Sequence, residues 1–97
     1  LPRRSRTTWP ATMYYFYILQ SQIDLTYFYK GSTNDLRRRV TQHNNGEVAS
    51  TKPRRPWKLV YYEAYISEKA ARLRESAVKE SGSVSTPLLK RIRDSLL

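Results

Sequence analysis

YKGSTNDLRRRVTQHNNG, residues 29–46, is the stretch from which the fold of this chain can be worked out. It begins with residues typical of a strand end, and Asn34-Asp35 then supplies the N-cap of a helix. Asn45-Gly46 supplies a left-handed stop, so the sequence predicts a helix that ends near Asn44. This helix carries three consecutive arginines and the only histidine of the chain. A run of charges usually lies in solvent, so the question is whether one of the three arginines does chemistry.

Three strands are predicted around this helix. The run YYFYIL, residues 14–19, is rich in aromatic and β-favouring residues and predicts the first strand. Residues 27–31 form a second strand after a short polar loop, so the two should pair as an antiparallel hairpin. The run WKLVYYEAY, residues 57–65, predicts the third strand. The sequence therefore predicts a small three-stranded antiparallel sheet flanked by helices.

Two further helices follow the third strand. Ser67 caps the first of them, which reaches about Glu80. Gly82 and Ser83 separate it from a last helix, which we expect to begin with Thr86 as cap and Pro87 as first helical residue. The predicted apolar stripes are Ala70, Leu73 and Ala77 on the first helix and Leu88, Leu89, Ile92 and Leu96 on the second. The order ββαβαα describes one α/β (α+β) domain over residues 13–97, after a flexible basic N-terminal arm over residues 1–12.

Charge is the strongest signal in the composition. Lys and Arg number 18 against 8 Asp and Glu, which gives a net charge of +10 on 97 residues. Such an excess predicts an anionic partner, most often nucleic acid. A membrane surface would require a basic helix with a bulky apolar face, and the sequence contains none. The absence of cysteine excludes disulfides and thiolate metal sites and fits a reducing compartment.

Tyr17 and Tyr29 are predicted to be neighbours on the first two strands, either as parts of one site or as ordinary packing residues. Side chains alternate along a strand, so Tyr17 and Tyr29 each project from a defined face. If the hairpin turns about Ile23, the two tyrosines lie directly opposite each other with their hydroxyls close together. The alternative is that they are simply aromatic residues of a packed sheet. The strand pattern alone leaves both interpretations open.

The three arginines differ in direction. At about 100° per residue, Leu36, Val40 and His43 form the stripe that faces the sheet. Arg39 lies about 60° to one side of this stripe, whereas Arg37 and Arg38 point toward solvent. Only Arg39 is therefore aimed back at the edge of the sheet where the tyrosines are expected.

Several short motifs follow one another along the chain around these residues. Tyr15-Phe16-Tyr17 ends the first, and Tyr29-Lys30-Gly31 forms the second. Arg39 follows eight residues after that glycine, and the strings STKPRRPWKLVYYE (residues 50–63) and RESAVK (residues 74–79) come later. Together the motifs resemble the GIY-YIG nuclease superfamily, in particular its stand-alone single-domain bacterial branch, over residues 13–82. Two positions depart from the family pattern: Tyr15 stands where the name-giving glycine would be, and Lys30 replaces an aliphatic residue.

The resemblance implies hydrolysis of DNA phosphodiester bonds with one divalent metal ion, Mg²⁺ or Mn²⁺, held by Glu75. It also implies that Tyr17 takes part in activating water as general base, and that Tyr29 and His43 orient groups or relay protons. Arg39 would hold the scissile phosphate, which its planar, permanently charged fork suits. A tyrosine base needs a pKa far below its usual value of about 10, a shift that the arginine and the metal would have to supply.

Ordinary structural roles compete with these assignments. Glu75 lies on the flank of the predicted stripe of its helix and could simply pair with Lys79 one turn later. His43 could be a helix residue packed at the edge of the core. Periodicity alone favours the simple ion pair for Glu75, and only the resemblance favours metal binding there. For His43 both roles stay open.

A basic surface is expected to follow the phosphates of the substrate. It consists of Arg37, Arg38, Lys52, Arg54, Arg55 and Lys58. No helix resembles a base-reading element, so we expect selection of branched or single-stranded DNA by shape rather than by sequence. We also expect a bacterial cytoplasmic, nucleoid-associated protein of DNA repair, without a membrane segment. The alternatives are an inactive nucleic-acid-binding module, or a nuclease subunit that needs a protein partner or a homodimer for targeting.

Overall fold

The computed structural model describes residues 8–97. They form a three-stranded antiparallel sheet in the strand order β2-β1-β3, with one helix on one face and two helices on the other. The elements in chain order are β1 (Tyr14–Ser21), β2 (Phe28–Thr33), α1 (Leu36–Asn44), β3 (Trp57–Tyr65), α2 (Glu68–Glu80) and α3 (Gly82–Ser95), with a single 3₁₀ turn at Lys52–Arg54. This confirms the predicted α+β fold and its order ββαβαα. Within residues 8–97 no helix combines the length and apolar character needed to cross a membrane. Most of the predicted arm, residues 1–7 of 1–12, lies outside the described residues.

The central strand β1 separates two apolar clusters because its side chains alternate between the two faces of the sheet. Phe16 and Ile18 are fully buried on the side of α2 and α3. Tyr17 and Leu19 are buried on the side of α1. The first cluster also contains Val78, Leu88 and Ile92, and the second contains Trp57 with Leu36, Val40, Leu59 and Tyr29 packed against it. Tyr17 thus lies on the face that α1 covers.

The register of the hairpin differs from the prediction by two residues. Tyr17 pairs with Gly31 and Leu19 pairs with Tyr29, so the two tyrosines are not directly opposite. The turn is centred on Asp24 rather than Ile23, because side chains inside the loop organise it. The Ser21 hydroxyl accepts the amides of residues 23 and 24, and the Asp24 carboxylate accepts the amide and hydroxyl of residue 26.

Helix α1 forms as its sequence predicts. The Asp35 carboxylate accepts the Arg38 amide at 3.1 Å and caps the first turn. Gly46 takes a φ of 76° after the last turn, a conformation that costs glycine little. The face between the caps is the predicted one, because Leu36 and Val40 pack on the second cluster and His43 is completely buried.

Helix α2 begins and ends where it was predicted but turns a different face inward. Its buried residues are Ala71 and Val78, whereas Leu73, expected in the apolar stripe, is 60% exposed. Arg74 and Glu75 lie partly buried between them. Two charged residues can face inward here because each meets a polar partner on the sheet.

Helix α3 starts at Gly82, five residues earlier than the expected first helical residue Pro87, which therefore lies inside the helix. The Ser81 carbonyl accepts the amides of residues 84 and 85, which builds the additional first turn. Val84, Leu88 and Ile92 then follow at intervals of four residues against the same core cluster. Packing of this longer stripe outweighs the usual cost of proline within a helix. Leu96 was expected in the stripe but lies at the end of the helix and is 37% exposed.

Candidate active site

Tyr17 is the buried centre of the site. Its side chain is 1% exposed, and its hydroxyl lies 2.9 Å from Nε2 of His43. The residue opposite on β2 is Gly31, where a Cβ atom would lie only 2.5 Å from the Tyr17 hydroxyl. A side chain at this position would therefore displace the phenol. The glycine after Tyr29 and Lys30 makes room for the Tyr17 ring.

Tyr29 lies diagonally across the hairpin from Tyr17, on the same face of the sheet. The two ring centroids are 6.3 Å apart, and the Tyr29 ring lies 4.9 Å from the imidazole of His43. The predicted direct opposition of the tyrosines is wrong, but the three rings still meet because diagonal neighbours remain within reach of aromatic side chains. Tyr17, Tyr29 and His43 form one cluster.

Hydrogen bonds around His43 define the direction of its protons. Nδ1 of His43 lies 2.7 Å from the Thr51 hydroxyl, which itself donates to the carbonyl of Val48 at 3.3 Å. We assign the threonine proton to that carbonyl, and in this arrangement the Thr51 oxygen accepts the proton on Nδ1. Nε2 is then unprotonated and accepts the Tyr17 hydroxyl. The chain of donors runs from Tyr17 through His43 and Thr51 to Val48.

The ionisation states of Tyr17 and His43 agree with this direction. Burial raises the pKa of Tyr17 to about 12, although a hydrogen bond from Arg39 acts in the opposite sense. Burial and the charge of Arg39 lower the pKa of His43 to about 4. At neutral pH both groups are uncharged, the phenol protonated and the imidazole a free acceptor. The low tyrosine pKa that a phenolate base requires is thus not a property of the free protein.

The structure separates the three arginines. The Arg39 side chain is half-buried beside Tyr17, and its Nη1 donates to the Gln42 side-chain oxygen at 3.0 Å. Arg37 and Arg38 are exposed, as predicted. They nevertheless point different ways: Arg37 borders a groove with Leu59 of β3, whereas Arg38 borders a cleft that it shares with Arg39. Arg39 is the member of the run that reaches the tyrosine cluster.

Glu75 extends from α2 toward the same region, and its negative charge contributes to the raised pKa of Tyr17. One carboxylate oxygen accepts the Ser32 hydroxyl at 2.6 Å, and the other accepts the ammonium of Lys79 at 2.5 Å. The expected pair with Lys79 therefore exists, and it coexists with an orientation toward the tyrosines. Lys79 also lies 5.9 Å from the centroid of the Tyr29 ring.

The residues around Glu75 fit a hard divalent cation that is shared with substrate. Residues 8–97 contain no cluster of three or more ligating His, Cys, Asp or Glu side chains. Mg²⁺ is commonly held by one or two carboxylates, with substrate phosphate and water completing its shell. Glu75 and the adjacent Ser32 hydroxyl supply oxygen donors of this kind. The partly exposed ammonium of Lys79 must leave the carboxylate for a metal to bind there.

The basic loop before β3 lies near the C-terminal end of α1. The Arg54 guanidinium lies 3.9 Å over the centroid of the Tyr27 ring, whereas Arg55 packs against Gly46. Lys52 and Lys58 are exposed. Arg37, Arg38 and this loop therefore do not make a single flat surface, and their contacts with nucleic acid stay predictions.

Four residues of the site were not identified from the sequence: Ser32, Gln42, Thr51 and Arg72. Ser32 could have been placed by strand alternation, since it faces away from Tyr29 and Gly31 toward α2. Gln42 lies one turn after Arg39, a spacing that allows the observed side-chain bond. Thr51 comes from a loop, and no periodic signal connects it to His43.

Comparison with known proteins finds similarity over most of the chain. The chain matches the GIY-YIG catalytic domain over residues 13–84. A UPF0213 protein of Clostridium perfringens is 41% identical over 69 residues, which cover 70% of this chain and 72% of that protein. A UPF0213 protein of Streptococcus pyogenes serotype M3 is 39% identical over 75 residues, covering 76% of this chain and 79% of that protein. The solution NMR structure of a UPF0213 protein from Bacillus halodurans is 31% identical, with a TM-score of 0.49, and the match covers 80% of this chain and 83% of that one.

Proposed function

This chain belongs to the GIY-YIG catalytic domain family, a family of endonucleases, and on that premise we propose that it is a divalent-metal-dependent enzyme that hydrolyses DNA phosphodiester bonds. The observation that carries the proposal is the directed contact between the Tyr17 hydroxyl and the free nitrogen of His43, with Arg39 and Glu75 beside it. A nuclease domain requires a nucleic-acid substrate, and the net charge of +10 suits one.

Tyr17 and His43 together act on the attacking water. The Tyr17 oxygen accepts a proton from water while its own proton passes to Nε2 of His43, so no free phenolate has to form first. The resulting imidazolium donates its Nδ1 proton to the Thr51 oxygen. This relay accounts for a tyrosine base whose pKa is about 12 in the free protein.

Arg39 binds the scissile phosphate and couples substrate binding to the relay. Its charge lowers the pKa of His43 in the free protein. A phosphate bound to the guanidinium offsets that charge, so His43 becomes a better proton acceptor when substrate is present. The planar fork of Arg39 also stabilises charge that develops on the phosphate oxygens.

Glu75 would hold the divalent ion, Mg²⁺ or Mn²⁺, with the Ser32 hydroxyl beside it. When bound, such an ion stabilises negative charge on the phosphate and the departing oxygen. Lys79 forms an ion pair with Glu75 in the free protein, and its ammonium would have to leave the carboxylate for an ion to be held there. Tyr29 closes the site on the side of β2 and orients the imidazole through its ring contact.

Selection by DNA structure rather than sequence follows from the distribution of basic groups. The phosphate contacts predicted from the sequence lie on the short helix α1 and in or beside the loop before β3, and none of them belongs to the longer helices α2 and α3. Branched or single-stranded DNA is the proposed substrate. A protein partner or a second copy of the chain, and a part in DNA repair, remain predictions.

The test is to incubate the purified protein with supercoiled, branched and single-stranded DNA, with Mg²⁺, with Mn²⁺ and with EDTA. Cleavage that depends on metal and prefers one DNA structure is expected. Salt-dependent binding without cleavage of any substrate would instead favour the inactive binding module. Cleavage only after addition of a cell extract would favour a subunit that requires a partner.

A further inference from the structure

A cleft lies beside the catalytic cluster and contains an arginine to which the family motifs assign no role. It has a volume of about 410 Å³ and lies between α1, the end of β2 and the first turns of α2. Arg38 and Arg39 border it from α1, and Arg72 borders it from α2. Ser32, the partner of Glu75, belongs to its wall, so the cleft is continuous with the catalytic site.

The two arginines of α1 are oriented in the cleft without being neutralised. Nη2 of Arg38 donates to the Asn34 side-chain oxygen at 3.0 Å, and Nη1 of Arg39 donates to Gln42 at the same distance. Both acceptors are neutral amides. Across residues 8–97, neither arginine has a carboxylate within 4.0 Å. Their side chains are positioned while their charges remain available to an anion.

Arg72 adds a third positive charge from the facing helix. It pairs with Glu68 one turn earlier at 3.5 Å, and both side chains are more than half exposed. An exposed pair of this kind is weak, so an incoming anion can compete for the guanidinium. Three guanidinium groups against the single carboxylate of Glu68 leave the cleft strongly positive.

We propose that this cleft binds a second phosphate of the nucleic-acid strand, next to the scissile one, through Arg38 and Arg72. The proposal rests on the proposed function, because Arg39 holds the scissile phosphate at the boundary between the two sites. Every nucleotide of a strand carries one phosphate, so a phosphate held by Arg39 brings its neighbour to the adjoining cleft. Two fixed phosphates define the direction in which the strand crosses the site.

Binding in EDTA tests the cleft without cleavage. The probe is a single-stranded oligonucleotide in which one phosphate at a time is replaced by an uncharged methylphosphonate. In the parent protein, a methylphosphonate at either of two adjacent positions should weaken binding on the order of tenfold. In Arg72→Ala, the plot of log binding constant against log salt concentration should become shallower by about 0.7. The loss of binding caused by the methylphosphonate should disappear at one of the two positions only. The control is Arg91→Ala, an exposed arginine on α3, which should leave the position-specific penalties unchanged.

A further arm distinguishes an internal phosphate from a terminal one. Parent protein and Arg72→Ala are compared on the same oligonucleotide with and without a 5′- or 3′-terminal phosphate. If a terminal phosphate strengthens binding in the parent protein but not in Arg72→Ala, the cleft binds a strand end. If a terminal phosphate has no effect on binding in either protein, the cleft binds an internal phosphodiester. Equal methylphosphonate penalties in parent and Arg72→Ala at every position would overturn the cleft proposal. Absence of cleavage on every substrate would overturn the nuclease proposal separately, because the binding measurement does not depend on it.

Discussion

Two clusters that each combine tyrosines with an arginine lie on opposite faces of the sheet. On the face of α2 and α3, the Glu63 carboxylate accepts the hydroxyls of Tyr61 and Tyr65, each at 2.5 Å. It also accepts two bonds from Arg74, at 2.9 and 3.1 Å. On the face of α1, Arg39 is held by an amide instead. The first cluster neutralises its arginine, and the second leaves its arginine free for a ligand.

Shifted pKa values do not distinguish these clusters. Burial raises the pKa of both Tyr17 and Tyr65 to about 12. For Tyr65 the bond to Glu63 adds to the effect, whereas for Tyr17 the bond from Arg39 opposes it. Structural networks and active sites both perturb ionisation. The uncompensated charge next to a cleft is the feature on which we base the proposal that the face of α1 is the functional one.

The neutral cluster nevertheless contributes to the site. Its bidentate pair joins Arg74 of α2 to Glu63 of β3, which fixes the rotation of α2 against the sheet. Glu75 is the next residue, and the same rotation brings it to Ser32 on β2. The cluster on one face thereby positions the carboxylate that serves the other.

The largest expected effect separates the two glutamates. Glu75→Gln should abolish cleavage, because a neutral amide cannot replace the charge that a hard cation requires. The unfolding free energy should change by no more than about 1 kcal/mol, since the lost pair with Lys79 is partly exposed. DNA affinity should stay level or rise, because a negative charge near the phosphate is removed. Turnover, binding and urea unfolding are measured on the same preparation.

Glu63→Gln is the matched control and should show the reverse pattern. Arg74 and two tyrosines lose a charged acceptor, so the unfolding free energy should fall by about 1–3 kcal/mol. Cleavage per folded molecule should be largely retained at temperatures well below the midpoint of unfolding. Full cleavage by Glu75→Gln would contradict the functional distinction between the clusters.

The next effect concerns the arginine run. Arg39→Ala should reduce the cleavage rate on the order of 10² to 10³, the typical cost of removing one group that stabilises transition-state charge. Arg37→Ala and Arg38→Ala should lose far less rate, since neither contacts the tyrosine cluster. Arg39→Lys should recover only part of the loss, because an ammonium lacks the planar fork. Single-turnover cleavage measures these rates, and equal losses at all three positions would show that α1 is only a diffuse basic face.

Acid should destabilise the two clusters in different pH ranges. The pKa of His43 is about 4 in the folded protein, against 6.5 for a solvent-exposed histidine such as that of the unfolded chain, so the unfolded chain binds a proton first as pH falls. Between pH 8 and pH 5 this should remove about 2 kcal/mol of unfolding free energy. The pKa of Glu63 is lowered by Arg74 and the tyrosines despite its burial, so its contribution is lost only at lower pH.

Urea unfolding at successive pH values resolves the two ranges. His43→Gln should flatten the profile between pH 8 and pH 5, and Glu63→Gln should flatten it below about pH 4.5. An unchanged profile in His43→Gln would mean that His43 does not titrate as a buried neutral group.

The sequence predicted the elements better than it predicted their contacts. The bounds of β3, the caps of α1 and its inward face follow from local patterns and are confirmed. The hairpin register was wrong because it depends on hydrogen bonds from Ser21 and Asp24 within the turn. The inward face of α2 was wrong because Arg74 and Glu75 are stabilised by partners on the sheet, which periodicity does not include. The direction of the three arginines was predictable, whereas the cleft beside them required the position of α2.

The smallest expected effect tests how the site controls its histidine. Thr51 contributes no charge and no direct contact with Tyr17, but it accepts the Nδ1 proton of His43 and so keeps Nε2 free. Thr51→Val preserves the shape and removes the acceptor, which should slow cleavage by about tenfold, as for other partners that orient a working histidine. Thr51→Ser restores the hydroxyl and should restore the rate. In Thr51→Val the favoured tautomer should change, which the ¹⁵N shifts of the imidazole report directly. A rate loss in Thr51→Ser equal to that in Thr51→Val, with unchanged ¹⁵N shifts, would reduce Thr51 to a packing residue. The hydrogen bonds from Tyr17 through His43 to Thr51 would then have a structural role, like those around Glu63, and would not transfer protons during cleavage.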